Sequence, residues 1–128
     1  MNNVKLNKWF NLKEFESDEG QVMLDEKMFN SLVKFREEVG KCIITSAFRT
    51  KTDTKRLLAQ GYKTSYNSQH NKGKAVDIKR VWKLNNEEII KVALDCGFKG
   101  IGIGKSFIHL DVRENTSSKG YNLWYYNY

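Results

Sequence analysis

Between residues 25 and 39 the apolar positions fall at Met28, Leu32, Phe35 and Val39, widened by Phe29 and Val33. This three-to-four-residue spacing predicts an amphipathic helix, with Asp25 able to cap its start and Gly40 its end. Residues 42–45 form a short apolar, β-branched run that predicts a buried strand. A second helix is predicted over residues 53–60, with Gly61 as its stop, and the polar, aperiodic residues 62–72 predict a loop. Over residues 75–81, Ala75, Asp77 and Lys79 share one face while Val76, Ile78 and Arg80 share the other, the period of a strand. Asn86 is expected to cap a third helix that runs through Cys96 and is closed by Gly97. Two further strands are predicted over residues 100–104 and 107–113. In the second, Phe107, His109, Asp111 and Arg113 face one way and Ile108, Leu110 and Val112 the other. The aromatic end, residues 121–128, is expected to pack back over the sheet, with the lining of a groove as the alternative.

Strands and helices are thus mixed, and the later strands are close enough in sequence to pair as antiparallel neighbours. The expected fold class is α+β, a small antiparallel sheet with helices packed on one face. At 128 residues, with 40% hydrophobic and 29% charged side chains and no repeat or linker, the chain is expected to form one soluble domain over residues 1–128. No stretch is long and apolar enough to span a membrane, and the first fifteen residues lack the apolar core of a secretory signal. Any work outside the cytoplasm is therefore expected to depend on release or export by other means. Cys42 and Cys96 are far apart and surrounded by apolar residues, which predicts two core thiols and neither a zinc knuckle nor a disulfide framework.

Charge changes this picture only in the middle third. Residues 41–80 carry ten basic side chains against two acidic ones, whereas residues 1–40 carry six against eight. Such a stripe attracts a polyanion, either an anionic cell-wall polymer, a membrane surface or nucleic acid, and it also serves solubility alone.

The chain has only two histidines, and both lie near a carboxylate in the predicted layout. His70 ends the polar loop, Asp77 lies on the strand that follows, and His109 lies on the last predicted strand. Two imidazoles and a carboxylate suit zinc and leave a fourth position for water, the catalytic rather than the structural pattern. Residue types alone leave a second reading open, in which His70 is an exposed loop residue, Asp77 an ion-pair partner and His109 a satisfied sheet histidine.

The stretch Ser68-Gln69-His70-Asn71-Lys72-Gly73-Lys74-Ala75-Val76-Asp77 resembles the Ser-x-His-x-x-Gly-x-Ala-x-Asp signature of zinc D-alanyl-D-alanine carboxypeptidases and L-alanyl-D-glutamate endopeptidases, which share the hedgehog-type fold. Ser46-Ala47-Phe48-Arg49 looks like the family's Ser-x-x-Arg segment, and Gly100 to Ile103 followed by Phe107 to Arg113 looks like its closing strand pair. The start, Phe10-Asn11-Leu12-Lys13-Glu14-Phe15, is similar to that of the short, single-domain branch. The resemblance implies that His70, Asp77 and His109 bind Zn2+ and that Arg49 points into the site to hold a substrate carboxylate or an oxyanion. It implies a peptidase acting on peptidoglycan peptide stems, as in a wall-lytic carboxypeptidase or endolysin, rather than on nucleic acid; a monomer is expected.

One position departs from the pattern. Many members carry an acid three residues before the last zinc histidine, or a histidine two residues before it, where this chain has Ser106 and Phe107. The residue at that position serves the family as general base, and Asp111 and Glu114, the nearest carboxylates in sequence, are the candidates to replace it. Asp111, two residues along the same strand face, could instead accept the second N–H of His109 or pair with Arg113. A zinc-stabilised module that recognises wall peptides or a protein partner without cutting is the alternative reading.

Overall fold

The structure, a computed structural model, describes residues 2–65 and 67–128. Three α-helices, α1 (Glu26–Val39), α2 (Lys51–Ala59) and α3 (Asn86–Asp95), accompany five strands: β1 (Ile44–Ser46), β2 (Ala75–Lys79), β3 (Gly100–Ile103), β4 (Phe107–Asp111) and β5 (Asn122–Tyr125). The strands form one sheet in the order β1-β2-β4-β3-β5, antiparallel throughout except for the parallel β3–β5 pair. This is the expected α+β class.

Local chemistry explains the element ends. The Asp25 carboxylate accepts the Met28 N–H at 2.9 Å to start α1, and Gly40 ends it at φ +91°. Helix α2 begins two residues earlier than its apolar pattern predicts, because Thr50 and Asp53 form a reciprocal capping box. Asn85, rather than Asn86, caps α3, again reciprocally with Glu88. The strand expected at residues 42–45 pairs two residues later, leaving Cys42 in the core ahead of it. Most of the polar stretch is irregular as expected, but Gln69–Lys72 wind into a 3₁₀ turn; Tyr66, within that stretch, lies outside the described residues.

Alternation divides the sheet into two chemically distinct faces. Val76, Ile78, Ile101, Ile108 and Leu110 are fully buried against Met28, Leu32 and Phe35 of α1 and Ile89 and Ala93 of α3. Phe10, Phe15 and Phe29 close one end of this core edge to face, and Phe35 meets both Trp82 and Phe98 the same way. Each fully buried ring contributes roughly 1.5–3 kcal/mol relative to exposure. Helix α2 contributes nothing to this cluster, so two of the three helices cover the core face. Cys42 and Cys96 are both free and buried, and burial pushes the Cys42 thiol up to about 12.

The opposite face carries one rank of residues in register across all five strands: Ser46, Asp77, His109, Gly102 and Trp124. The aromatic end meets both expectations: its Trp124 and Tyr126 rings pack over Gly102 of β3, and the segment also lines a groove. It extends the sheet edge as β5 and continues into the rim of a cleft lined by Trp124, Tyr126 and Tyr128. The signal for this arrangement is the Gly-Ile-Gly-Ile-Gly run of residues 100–104. Its isoleucines Ile101 and Ile103 enter the core, while its glycines leave the other face bare for large side chains. A Cβ on Gly102 would stand 2.6 Å from both the Trp124 and the Tyr126 rings, and one on Gly104 would collide with Phe107.

Candidate metal centre

Each signature residue has a physical task. The Ser68 hydroxyl accepts the His70 N–H at 3.2 Å and starts the 3₁₀ turn that carries His70. Gly73 ends that turn in the left-handed region at φ +69°, and a Cβ there would run into the Met23 carbonyl. The chain then enters β2, where Asp77 lies directly opposite His109 of β4. Turn and strand pairing thus bring together three residues far apart in sequence.

His70 Nε2, Asp77 Oδ1 and His109 Nδ1 form a triangle with sides of 3.1, 3.1 and 3.2 Å. The edge of a tetrahedron around zinc with bonds of about 2.0–2.1 Å is about 3.3 Å, so the donor set fits that ion. The protonation of both rings agrees. His70 Nδ1 lies 2.6 Å from the Ala47 carbonyl and must donate to it, leaving the Nε2 lone pair in the triangle. His109 Nε2 donates to Asp111 Oδ2 at 2.6 Å, which turns Nδ1 inward. Two lone pairs and a carboxylate oxygen then converge where only a cation relieves their repulsion. Burial lowers the His109 pKa, but hydrogen bonds to Asp111 and Asp77 outweigh it and raise it to about 9. Burial pushes His70 the other way, below its usual value, against the attraction of Asp77. Asp77 stays well below the usual carboxylate range, because the pull of His70 and His109 exceeds the cost of its burial.

Asp111 lies behind His109 and is fully buried, with both oxygens engaged. Oδ2 accepts from His109 and from Arg113 Nη2 at 2.7 Å, and Oδ1 accepts from the Arg113 backbone N–H and Nε. Both of its sequence-based roles, buttress of His109 and partner of Arg113, are therefore filled by the same carboxylate. As a proton acceptor in the cleft it is misplaced, since it faces away from the triangle. Glu114 is exposed and paired with Lys74. Neither carboxylate is among the residues lining the cleft, while Ser106 and Phe107 are.

Arg49 stands at the edge of the triangle, its Nη2 3.5 Å from Asp77 Oδ2 and its Nη1 3.3 Å from Thr64 Oγ1. Its backbone is clamped to the His70 turn: Arg49 N–H donates to the His70 carbonyl at 3.1 Å, and the Asn71 amide donates to the Arg49 carbonyl at 2.9 Å. Only the guanidinium is loosely held. Site and guanidinium open into a cleft of about 1170 Å³. Of the other cations in the basic middle stretch, Lys63 and Lys79 line this cleft, Arg56 pairs with Asp18 and Asp53, and Lys51, Lys55 and Lys72 are exposed.

A three-donor site of two histidines and one aspartate, open to a cleft, defines a metalloprotein of the catalytic kind. The sequence model of the Peptidase M15 family matches residues 8–111, and the chain belongs to that family of zinc metallopeptidases. No curated protein and no solved structure matches the chain significantly. Among the described residues no helix is long and apolar enough to cross a membrane.

Proposed function

We propose that the chain hydrolyses peptide bonds in the stem peptides of peptidoglycan, acting at the cell wall after release or export. The observation that carries this reading is the placement of Arg49, whose guanidinium adjoins the donor triangle and is held by contacts of only 3.3–3.5 Å. A short wall peptide ends in a carboxylate, which a guanidinium grips in bidentate fashion, and the same fork stabilises negative charge developing on a cleaved amide. His70, Asp77 and His109 would hold the zinc, which would supply the Lewis acidity to polarise a carbonyl and to acidify water near neutral pH.

The protein's own residues do the rest of the positioning. Asp111 and the Ala47 carbonyl hold the two imidazoles in the tautomers that present lone pairs. Exposed Lys51, Lys55, Lys63 and Lys72 favour approach to an anionic wall polymer.

The test is to incubate the zinc-loaded protein with purified cell walls, quantify newly freed amino groups and identify fragments by mass spectrometry. Release of stem-peptide fragments is expected, and the mass of the fragments names the bond. Zinc-loaded protein that binds walls and frees no amine, beside an active endopeptidase control, would overturn hydrolysis and leave recognition in its place.

A further inference from the structure

The cleft has a second wall that the metal chemistry does not use. Trp124, Tyr126 and Tyr128 alternate along β5 and its continuation and so share one face, where Phe107 of β4 joins them. The row begins at the site, with the Trp124 ring 5.2 Å from that of His109, and runs outward. Tyr126 lies 6.3 Å from Trp124, Tyr128 lies 5.6 Å from Tyr126, and Phe107 is within 5.0 and 6.0 Å of the two tyrosines. All four rings line the cleft, and Tyr128 at the outer end is 51% exposed. Three of the four lie beyond residue 111, outside the span matched by the family.

Rings gathered for packing alone would be covered; here the Arg113 guanidinium lies over the Trp124 ring at 4.8 Å, but the row still lines an open cleft, slightly larger than the roughly 300–1,000 Å³ usual for a small-ligand site. The other side of the triangle has different chemistry. The loop tied to Arg49 through Thr64 presents Ser65, Asn67 and Ser68 to the same cleft, neutral hydroxyls and an amide, with the cation Lys63 beside them. An aromatic platform facing neutral hydrogen-bonding groups suits a ligand with C–H faces and a rim of hydroxyls and amides. A pyranose bearing an N-acetyl group has that form. An apolar peptide side chain would use the platform and leave the opposite wall unpaired.

We infer that the Trp124–Tyr126–Tyr128–Phe107 wall is a carbohydrate subsite that stacks an N-acetylated sugar of the glycan strand, so that the protein takes stem peptides still attached to glycan. The identity of the sugar rests on the peptidoglycan reading, while the stacking surface stands on the geometry alone.

The first test needs no turnover. The zinc-loaded full chain is titrated with an N-acetylglucosamine tetramer while the Trp124 indole signal is followed by NMR. Saturable shifts are expected, with Tyr128→Phe binding as the parent does and Tyr128→Ala weakened by about tenfold, the loss of one stacked ring. The absence of saturable shifts in the parent, or equal binding by Tyr128→Ala, would overturn the subsite. The second test compares kcat/KM for a glycan-linked stem peptide with that for the same peptide without sugar. The ratio is expected to exceed one in the parent and to fall toward one in Tyr128→Ala; a parent ratio of one or below overturns the proposal. If neither peptide is cut, the hydrolytic reading fails, and the titration still decides the subsite.

Discussion

His109 and Asp111, two residues apart on β4, share a hydrogen bond of 2.6 Å between Nε2 and Oδ2, and the same carboxylate takes two side-chain hydrogen bonds and one backbone hydrogen bond from Arg113. The aspartate thus fixes one candidate zinc ligand without touching the ion's position. Asp111→Asn keeps the shape but removes the charge that orients the imidazole. Zinc affinity is expected to fall by about 10–100-fold, measured by competition with a chelating dye. Asp111→Ala should also destabilise the fold by about 1–3 kcal/mol, because His109 and the partly exposed Arg113 lose their buried acceptor.

Removal of the metal should cost stability directly. Three donors within 3.2 Å of one another repel unless a cation or proton sits among them. An ion that binds only the folded chain, at a hundred times its dissociation constant, adds about 2.7 kcal/mol. For a domain of this size, chelation is expected to lower Tm on the order of 10 °C, with recovery on adding zinc, as read by calorimetry. An unchanged Tm after verified zinc loss would contradict the donor assignment.

Much of this organisation is legible in the residues themselves. The period of Met28, Leu32 and Phe35 places α1 to within a residue, and alternation places Asp77 and His109 on one sheet face. What apolar patterning does not reveal is set by polar or tertiary terms. Helix α2 starts at a Thr50–Asp53 capping box that lies ahead of its apolar residues. Residues 122–125 pair with the free edge of β3 and lay Trp124 over the bare face of Gly102, an arrangement visible only once β3 is seen paired on both edges. The dual engagement of Asp111 requires the folded position of Arg113.

Gly102 tests that account of the aromatic wall. Its Cβ would approach the Trp124 and Tyr126 rings to 2.6 Å, with no strain from its own backbone angle. Gly102→Ala is therefore expected to displace both rings and to destabilise by about 1–3 kcal/mol, the usual cost of overpacking. Thermal unfolding gives the loss, and the NMR shifts of the Trp124 indole report the displacement. Gly61→Ala, which meets open space at φ +90°, separates the two causes, since any effect there comes from backbone strain alone.

The buried thiol of Cys42 provides a test of the core. Its pKa is pushed up to about 12, whereas a thiol in the unfolded chain ionises near 8.5. Between those values the unfolded state binds fewer protons, so the Cys42 contribution to stability is complete below pH 8.5 and is lost as pH rises toward 12. Denaturant titrations at pH 8 and pH 10 should show a loss that is smaller in Cys42→Ala than in the parent. At pH 8 iodoacetamide should modify Cys42 far more slowly in the folded chain than in denaturant.

Arg49 separates binding of the metal from use of it. Its guanidinium meets a candidate ligand at 3.5 Å, at the Asp77 oxygen that lies outside the donor triangle, so truncating the side chain leaves the three donors in place. Arg49→Ala is expected to retain one zinc per chain while losing about 10²–10³ in kcat/KM on wall peptides, the scale of one preorganised donor to an oxyanion. The split between constants tells which task the guanidinium performs. A rise in KM alone would assign it to the substrate carboxylate, and a fall in kcat would assign it to charge that develops during cleavage. Arg49→Lys restores the charge without the planar fork, so recovery of less than a tenth of the lost rate would show that bidentate geometry carries the effect. A variant that lost its zinc would instead make Arg49 a support for Asp77, through the contact that is now 3.5 Å long.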